Sequence, residues 1–190
     1  MEKRTLFGKN LRAEEASEAP RIVADVVVFG DVYDMGWGAF ERIDPHAFDN
    51  TLSGDIRALI DHDTTLVLGR TKAGTLRLWV DDYALRGEID INPDDRAAMD
   101  LYARVKRGDV SQCSFGFEIV REEREEMPDG VMWTIMEVKL WEVSVATFPA
   151  YQATSAVARS SASASRAMED WKNRMKARLS NDKTRIDGEA

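Results

Sequence analysis

The sequence predicts a domain of the α+β class that is built mainly from β-strands. Residues 22–29 are rich in valine, and residues 83–91 alternate between apolar and polar side chains. Both patterns are typical of strands. Residues 92–107 instead carry apolar side chains at helical spacing. The 190 residues are enough for one domain with its own hydrophobic core.

The other predicted strands are short apolar runs that end at turn residues. In chain order they lie at residues 56–60, 66–68, 75–80, 114–120, 131–136 and 138–148. The pair Asp81-Asp82 predicts one hairpin turn, and Pro128-Asp129-Gly130 predicts another. The acidic run at residues 122–126 is interpreted as a solvated hairpin tip.

The helix has clear start and stop signals. Asn92 is the predicted N-cap, and Pro93 suits the first helical position. Gly108 is expected to end the helix just after Arg107. The apolar stripe of this helix consists of Ala98, Leu101, Tyr102 and Val105.

The composition divides the chain into three parts. Residues 1–20 are polar and predict a flexible N-terminal arm, while residues 21–157 predict the compact domain. Residues 158–190 begin with a serine/alanine linker, a composition typical of flexible connections. Beyond the linker, apolar residues at helical spacing predict an amphipathic tail: Met168, Trp171, Met175 and Leu179.

Charge and residue usage argue against several classes of protein. The net charge of -8 argues against a dedicated nucleic-acid binder. One cysteine cannot form an internal disulfide, and with two histidines it cannot build an ordinary zinc site, so no cofactor is expected. No apolar stretch approaches the roughly 20 residues that span a bilayer, and the N-terminus lacks the apolar core of a signal peptide. We therefore expect a soluble intracellular protein without membrane contact.

Three segments carry the residue types of nucleophilic catalysis. His62 follows an apolar run, and Ser114 precedes an aromatic-glycine-aromatic sequence. Glu142 is a lone carboxylate within an apolar strand. A serine hydroxyl needs a neighbouring base, usually a histidine that a third polar group orients. These residues predict a hydrolase with Ser114 as nucleophile, His62 as base and Glu142 as orienting acid.

Two other nucleophiles compete with Ser114 on the pattern alone. Ser111 and Cys113 stand in the same segment. A deprotonated Cys113 would be the stronger nucleophile, although a small buried cysteine is commoner. The competing interpretation for all three segments is a surface histidine, a serine at a strand start and a glutamate facing solvent.

The choice of base and orienting acid has its own alternatives. His46 follows Pro45 in a predicted turn and is interpreted as a surface residue. Asp61 and Asp63 flank His62, but neighbours on a strand point to opposite faces. They are therefore less natural orienting groups than a residue from another strand.

In this order, the segments resemble the prohead (capsid maturation) serine proteases of tailed bacteriophages. The resemblance covers about residues 22–156. The motifs that carry it are VFG at 28–30, FERIDPHAF at 40–48, DHD at 61–63, LGR at 68–70, SFGF at 114–117 and EVSVATFPA at 142–150, together with the predicted helix at 95–108.

The resemblance implies a fold and a set of site residues. The family is related in fold to the herpesvirus assemblins, so a closed, mainly antiparallel β-barrel with surrounding helices is expected. His62 matches the catalytic histidine and Ser114 the nucleophile, while Glu142 matches the acidic position of the Glu-Val-Ser motif. Cys113 departs from the small or apolar residue common at its position. The turn at residues 68–70 is a candidate source of oxyanion-binding N–H groups.

The resemblance also implies partners and a location. The enzyme is expected to enter the immature capsid from the host cytoplasm and to cleave scaffold and coat precursor. Self-cleavage is expected between about residues 156 and 167, since an exposed serine/alanine linker suits a protease; a homodimer is also expected. The competing functions are a catalytically inactive capsid-assembly protein with the same fold, and a cysteine hydrolase that uses Cys113 and His62.

Overall fold

The structure is a computed structural model, which describes residues 4–15 and 20–147. These residues belong to one unit, Met1–Ala153. The strands are β1 (Arg4–Glu15), β2 (Pro20–Val28), β3 (Tyr33–Gly36), β4 (Ala39–Ile43), β5 (Arg57–Ile60), β6 (Asp63–Arg70), β7 (Leu76–Val80), β8 (Ala84–Asp90), β9 (Gln112–Met127) and β10 (Gly130–Ala146). The α-helix α1 spans Arg96–Arg107, and short 3-10 helices span Pro45–Phe48 and Thr71–Ala73.

The strands form one mostly antiparallel sheet in the order β3-β4-β10-β9-β1-β2-β8-β7. Strand β5 pairs with β10 and β6, and the pairings of β10 with β4 and β5 are parallel. The fold is thus mainly β with one α-helix among the residues described. The closed barrel is not found, because closure needs the two end strands to pair. Here β3 pairs with β4 and β7 with β8, and the sheet of described strands stays open.

Strands β9 and β10 are the longest of the described strands and form one hairpin. The two strands contain 16 and 17 residues. They pair from Gln112 with Ala146 at one end to Met127 with Gly130 at the other. The acidic run at residues 122–126 was expected at the tip, but it lies within this ladder, where Glu126 pairs with Val131. Because β10 is so long, its first half pairs with β4 and its second half with β5.

Helix α1 confirms most of its sequence prediction. Its buried residues are the predicted stripe of Ala98, Leu101, Tyr102 and Val105. Gly108 adopts a left-handed conformation at φ 87°, and its N–H caps carbonyls of the last turn. The predicted N-cap was wrong by three positions: Asp95 accepts the Ala98 N–H, while Asn92 accepts the N–H of Asp94 in the turn before the helix.

The N-terminal segment differs from the flexible arm predicted for residues 1–20. Residues 4–15 form β1, which lies between β9 and β2 in the sheet. A polar strand is stable in this position because both of its edges find backbone hydrogen-bond partners, which composition does not reveal. The linker and tail predicted at 158–190 lie outside the described residues and stay predictions.

The first residues of β9 contribute aromatic side chains to the hydrophobic core. Phe115 and Phe117 are fully buried and their rings stack with centroids 5.0 Å apart. Phe48 packs edge-on against Phe115 with centroids 6.2 Å apart. Burying each such ring stabilises the fold by about 1.5–3 kcal/mol. This packing holds the first half of β9, which carries Ser114, in a fixed position.

Candidate active site

The register of β9 and β10 places four small or polar residues on one face. Ser144 pairs with Ser114, and Glu142 pairs with Gly116. Directly opposite residues of an antiparallel pair project from the same face of the sheet. Ser114 is fully buried, and Glu142 is only 8% exposed. The predicted nucleophile and the predicted acid thus share one face of neighbouring strands.

His62 reaches this face from the tight turn between β5 and β6. Ile60 pairs with Asp63, so Asp61 and His62 form a two-residue turn. Both have positive φ, 47° and 62°. Two-residue hairpins with positive φ at both positions fit the right-handed strand twist, and they usually contain asparagine or glycine. The backbone of His62 is therefore strained, and neighbouring contacts must hold it.

Strand β10 supplies those contacts to the turn. The Asp61 N–H donates to the carbonyl of Val145 at 3.0 Å. The Asp61 carboxylate in turn accepts the N–H of Thr147 at 2.7 Å and its hydroxyl at 3.2 Å. Asp61 thus orients the turn through the backbone and does not bond to the imidazole ring. Asp63 accepts bonds from Thr65 within β6.

The imidazole of His62 is bonded to Glu142. His62 Nδ1 lies 2.8 Å from Glu142 Oε1. An ionised carboxylate only accepts, so in this pair Nδ1 carries the proton. A neutral ring then has Nε2 as its acceptor, which is the tautomer that a general base needs.

The Nε2 atom of His62 is buried and has no hydrogen-bond partner among the described residues. The hydroxyl of Ser114 therefore does not bond to it in this conformation. Catalytic hydrogen bonds are often long in a substrate-free site and tighten when substrate binds. The geometry thus brings the predicted acid and the predicted base into contact, with the predicted nucleophile on the same sheet face as the acid.

Two contributors to the site were missed by sequence reasoning. Ser144 donates to Glu142 Oε2 at 2.5 Å and accepts the His62 N–H at 3.2 Å. A Cβ at Gly116 would overlap Oε1 of Glu142, so the absence of a side chain there leaves room for the carboxylate. The signals available were a serine two positions after Glu142 and a glycine between two aromatic residues.

The alternative nucleophiles, Cys113 and Ser111, and the alternative base, His46, lie outside the contact between His62 and Glu142. Cys113 is buried on the other side of β9, where its Sγ donates to the carbonyl of Asp25 at 3.4 Å. Ser111 is exposed and precedes β9. The side chain of His46 is 83% exposed and contacts Asp49 at 3.1 Å, which agrees with its interpretation as a surface residue.

Residues 68–70 do not form the predicted turn. They are the last residues of β6, and the Arg70 N–H donates to the Thr75 hydroxyl at 3.0 Å. Hydrogen bonds from the Arg70 guanidinium, at 2.6 and 2.7 Å, lower the pKa of the Asp55 carboxyl to about 2. The Arg70 side chain thus forms an ion pair within the fold, and the assignment of this segment as a source of oxyanion-binding N–H groups stays a prediction.

Within 4–15 and 20–147, no group of three or more histidine, cysteine or acidic residues is arranged to hold a metal ion. Across those ranges, no helix has the length and apolar character to cross a membrane.

A buried carboxylate bonded to a partly exposed histidine, with a serine on the same sheet face as the carboxylate, is an arrangement that serine hydrolases use. Residues 9–170 match the model of the Peptidase_S78 family, described as caudovirus prohead serine protease. Because the match covers most of the chain, the protein belongs to this family, and membership indicates a serine peptidase. No curated protein and no solved structure shows significant similarity to the chain.

Proposed function

We propose that the protein is a serine endopeptidase in which Ser114 is the nucleophile, His62 the general base and Glu142 the orienting acid. The observation that carries the proposal is the 2.8 Å contact between His62 Nδ1 and Glu142 Oε1. Family membership supports the peptidase activity. The shared face of Ser114 and Glu142 supports the choice of nucleophile.

The mechanism follows from the proton positions. Nε2 of His62 accepts the Ser114 proton while Oγ forms a bond to the carbonyl carbon of the scissile peptide. Glu142 stabilises the imidazolium that results. The imidazolium then protonates the departing amine, which breaks the peptide bond and leaves an acyl-enzyme. His62 next takes a proton from water as the water oxygen bonds to the acyl carbon. The imidazolium returns this proton to Oγ as the acyl–Oγ bond breaks, which releases the acid product and restores Ser114.

The proposed substrates are the scaffold and coat precursor of the immature capsid, together with the chain itself. Family membership supports this setting, in which the protein moves from the host cytoplasm into the prohead. The serine/alanine segment at residues 160–165 supports self-cleavage, because a protease needs an extended and accessible substrate. A homodimer is part of the same proposal.

The test compares Ser114→Ala with Ser111→Ala and Cys113→Ala. Ser114→Ala should reduce cleavage by several orders of magnitude, because the covalent step is lost. The two control variants should cleave at rates near wild type. Intact-mass spectrometry of the chain, expressed with its coat precursor, measures both reactions. Normal cleavage by Ser114→Ala would show that the nucleophile is misassigned.

The alternative function is a catalytically inactive capsid-assembly protein with the same fold. Two observations favour it: Ser114 is fully buried, and His62 Nε2 is not bonded to its hydroxyl. A fluorophosphonate probe separates the two functions, since it labels only an activated serine. Labelling that Ser114→Ala abolishes supports the peptidase, whereas unlabelled wild-type protein in assembled proheads supports the inactive alternative.

A further inference from the structure

We infer that Ser144 is a positioning residue of this site, which fixes both the turn that carries His62 and the carboxylate that orients its ring. The inference deepens the proposed function, and only its kinetic consequence rests on that function. The observation that carries it is that one buried hydroxyl bonds to the main chain of His62 and to the side chain of Glu142.

The hydroxyl of Ser144 has one proton and two lone pairs. The proton goes to Glu142 Oε2 at 2.5 Å, and a lone pair accepts the His62 N–H at 3.2 Å. Oε1, the other oxygen of Glu142, is thereby turned toward His62 Nδ1. Ser144 is 1% exposed, so solvent has little access to replace these bonds.

The bond to the His62 main chain holds a strained conformation. His62 has a φ of 62°, in the left-handed region that a side chain with a Cβ disfavours. Asp61 is held at the preceding position by Val145 and Thr147. The bond from the His62 N–H to the Ser144 hydroxyl is a further hydrogen bond between this turn and β10, and it fixes the residue that carries the imidazole ring.

The same contacts argue against Ser144 as a second nucleophile. Its proton is donated to a carboxylate, and it meets His62 through the main chain. The imidazole ring of His62 is therefore not placed to accept the proton of the Ser144 hydroxyl. Its effect on the reaction passes through Glu142 and His62.

The test reads the tautomer of His62 directly by nitrogen NMR. Because the chain has two histidines, a His46→Gln background leaves one imidazole signal. In this background the neutral ring should carry its proton on Nδ1. Ser144→Ala should yield a mixture of the two tautomers, while Ser144→Thr, which keeps a hydroxyl, should retain the Nδ1–H form.

Thr51→Val is the matched control. The buried Thr51 hydroxyl accepts the N–H of Leu140, also in β10, at 2.8 Å. This variant loses a comparable bond to the same strand without touching His62 or Glu142. It should lower thermal stability as Ser144→Ala does, yet leave the tautomer unchanged. A tautomer that shifts equally in both variants would overturn the inference, because the role of Ser144 would then be structural only.

Kinetics supplies the second readout. Ser144→Ala should lower kcat by about 10²-fold with little change in KM, as expected when a catalytic group moves by about 1 Å. Wild-type kcat together with an unchanged tautomer would overturn the inference even if Ser114→Ala confirms the protease. A tautomer shift in Ser144→Ala supports the inference even if wild-type protein fails to cleave, in which case the proposed function alone is rejected.

Discussion

The substitution Gly116→Ala tests whether the Glu142 carboxylate must lie over β9. A Cβ at this position would overlap Oε1 of Glu142 and come within 3.1 Å of its Cδ and 3.2 Å of its Cγ. In an ordinary strand, alanine in place of glycine is favourable by about 0.5–1 kcal/mol, because the unfolded chain loses freedom. Here the added methyl instead forces the carboxylate away from His62.

The expected magnitude follows from that displacement. Relief of the overlap requires Glu142 to move by about 1 Å, which misplaces the imidazole and costs about 10²-fold in rate. This corresponds to about 2.7 kcal/mol of transition-state stabilisation. Overpacking should also lower the free energy of unfolding, by about 1–3 kcal/mol.

The assay is kcat/KM on a peptide from the cleaved segment, measured beside the thermal midpoint. Gly87→Ala is the matched control: it lies in β8, where a Cβ would come within 3.1 Å of Val26 and 3.4 Å of Leu78. This variant should lose stability and keep its activity. Wild-type kcat/KM in Gly116→Ala, or an equal loss in Gly87→Ala, would show that the position of the Glu142 carboxylate does not limit the rate.

Three further predictions concern the turn and two titrating groups. Asp61→Ala should lower the free energy of unfolding by about 1–2 kcal/mol, because alanine disfavours positive φ and the bonds to Thr147 are lost; an unchanged urea midpoint would contradict this. Burial raises the pKa of Tyr33 to about 12, so absorbance at 295 nm should show one late-ionising phenol, and stability should fall as pH rises from about 10 to 12. Asp55→Asn should lower the thermal midpoint at pH 7, and the difference from wild type should vanish as pH falls through about 2, where the carboxyl paired with Arg70 is protonated; a difference that persists below pH 2 would point to another cause.

The parts of the fold that depend on local chemistry were predicted well. The stripe of α1 and the left-handed Gly108 follow from helical period and from the absence of a Cβ. The hairpin around residues 81–82 follows from alternation and turn composition. Each involves residues within a few positions of one another, so a pattern along the chain is sufficient.

The parts of the fold that depend on partners distant in the sequence were not predicted. Strand β1 is held by β9 and β2, which lie on either side of it, and its own composition is that of a polar arm. The closed barrel expected from the resemblance required the two end strands to meet, and no local pattern reports on that pairing. The N-cap of α1 was misplaced because Asn92 and Asp95 each accept a backbone N–H two or three positions later, and only the second of these bonds caps the helix that begins at Arg96.

For the site, the sequence was sufficient to name the candidate residues. Two histidines, one serine before an aromatic-glycine-aromatic segment and one acid in an apolar strand left few assignments, and the order of motifs indicated the family. The catalytic roles of Ser114, His62 and Glu142 stay proposals. The contact between His62 and Glu142 depends on tertiary structure, since the two residues are 80 positions apart and the pairing of β5 with β10 brings them together. The register of β9 with β10 likewise places Ser144 and Gly116 beside Glu142. The sequence does not show which residue the neighbouring strand places opposite a serine or a glycine.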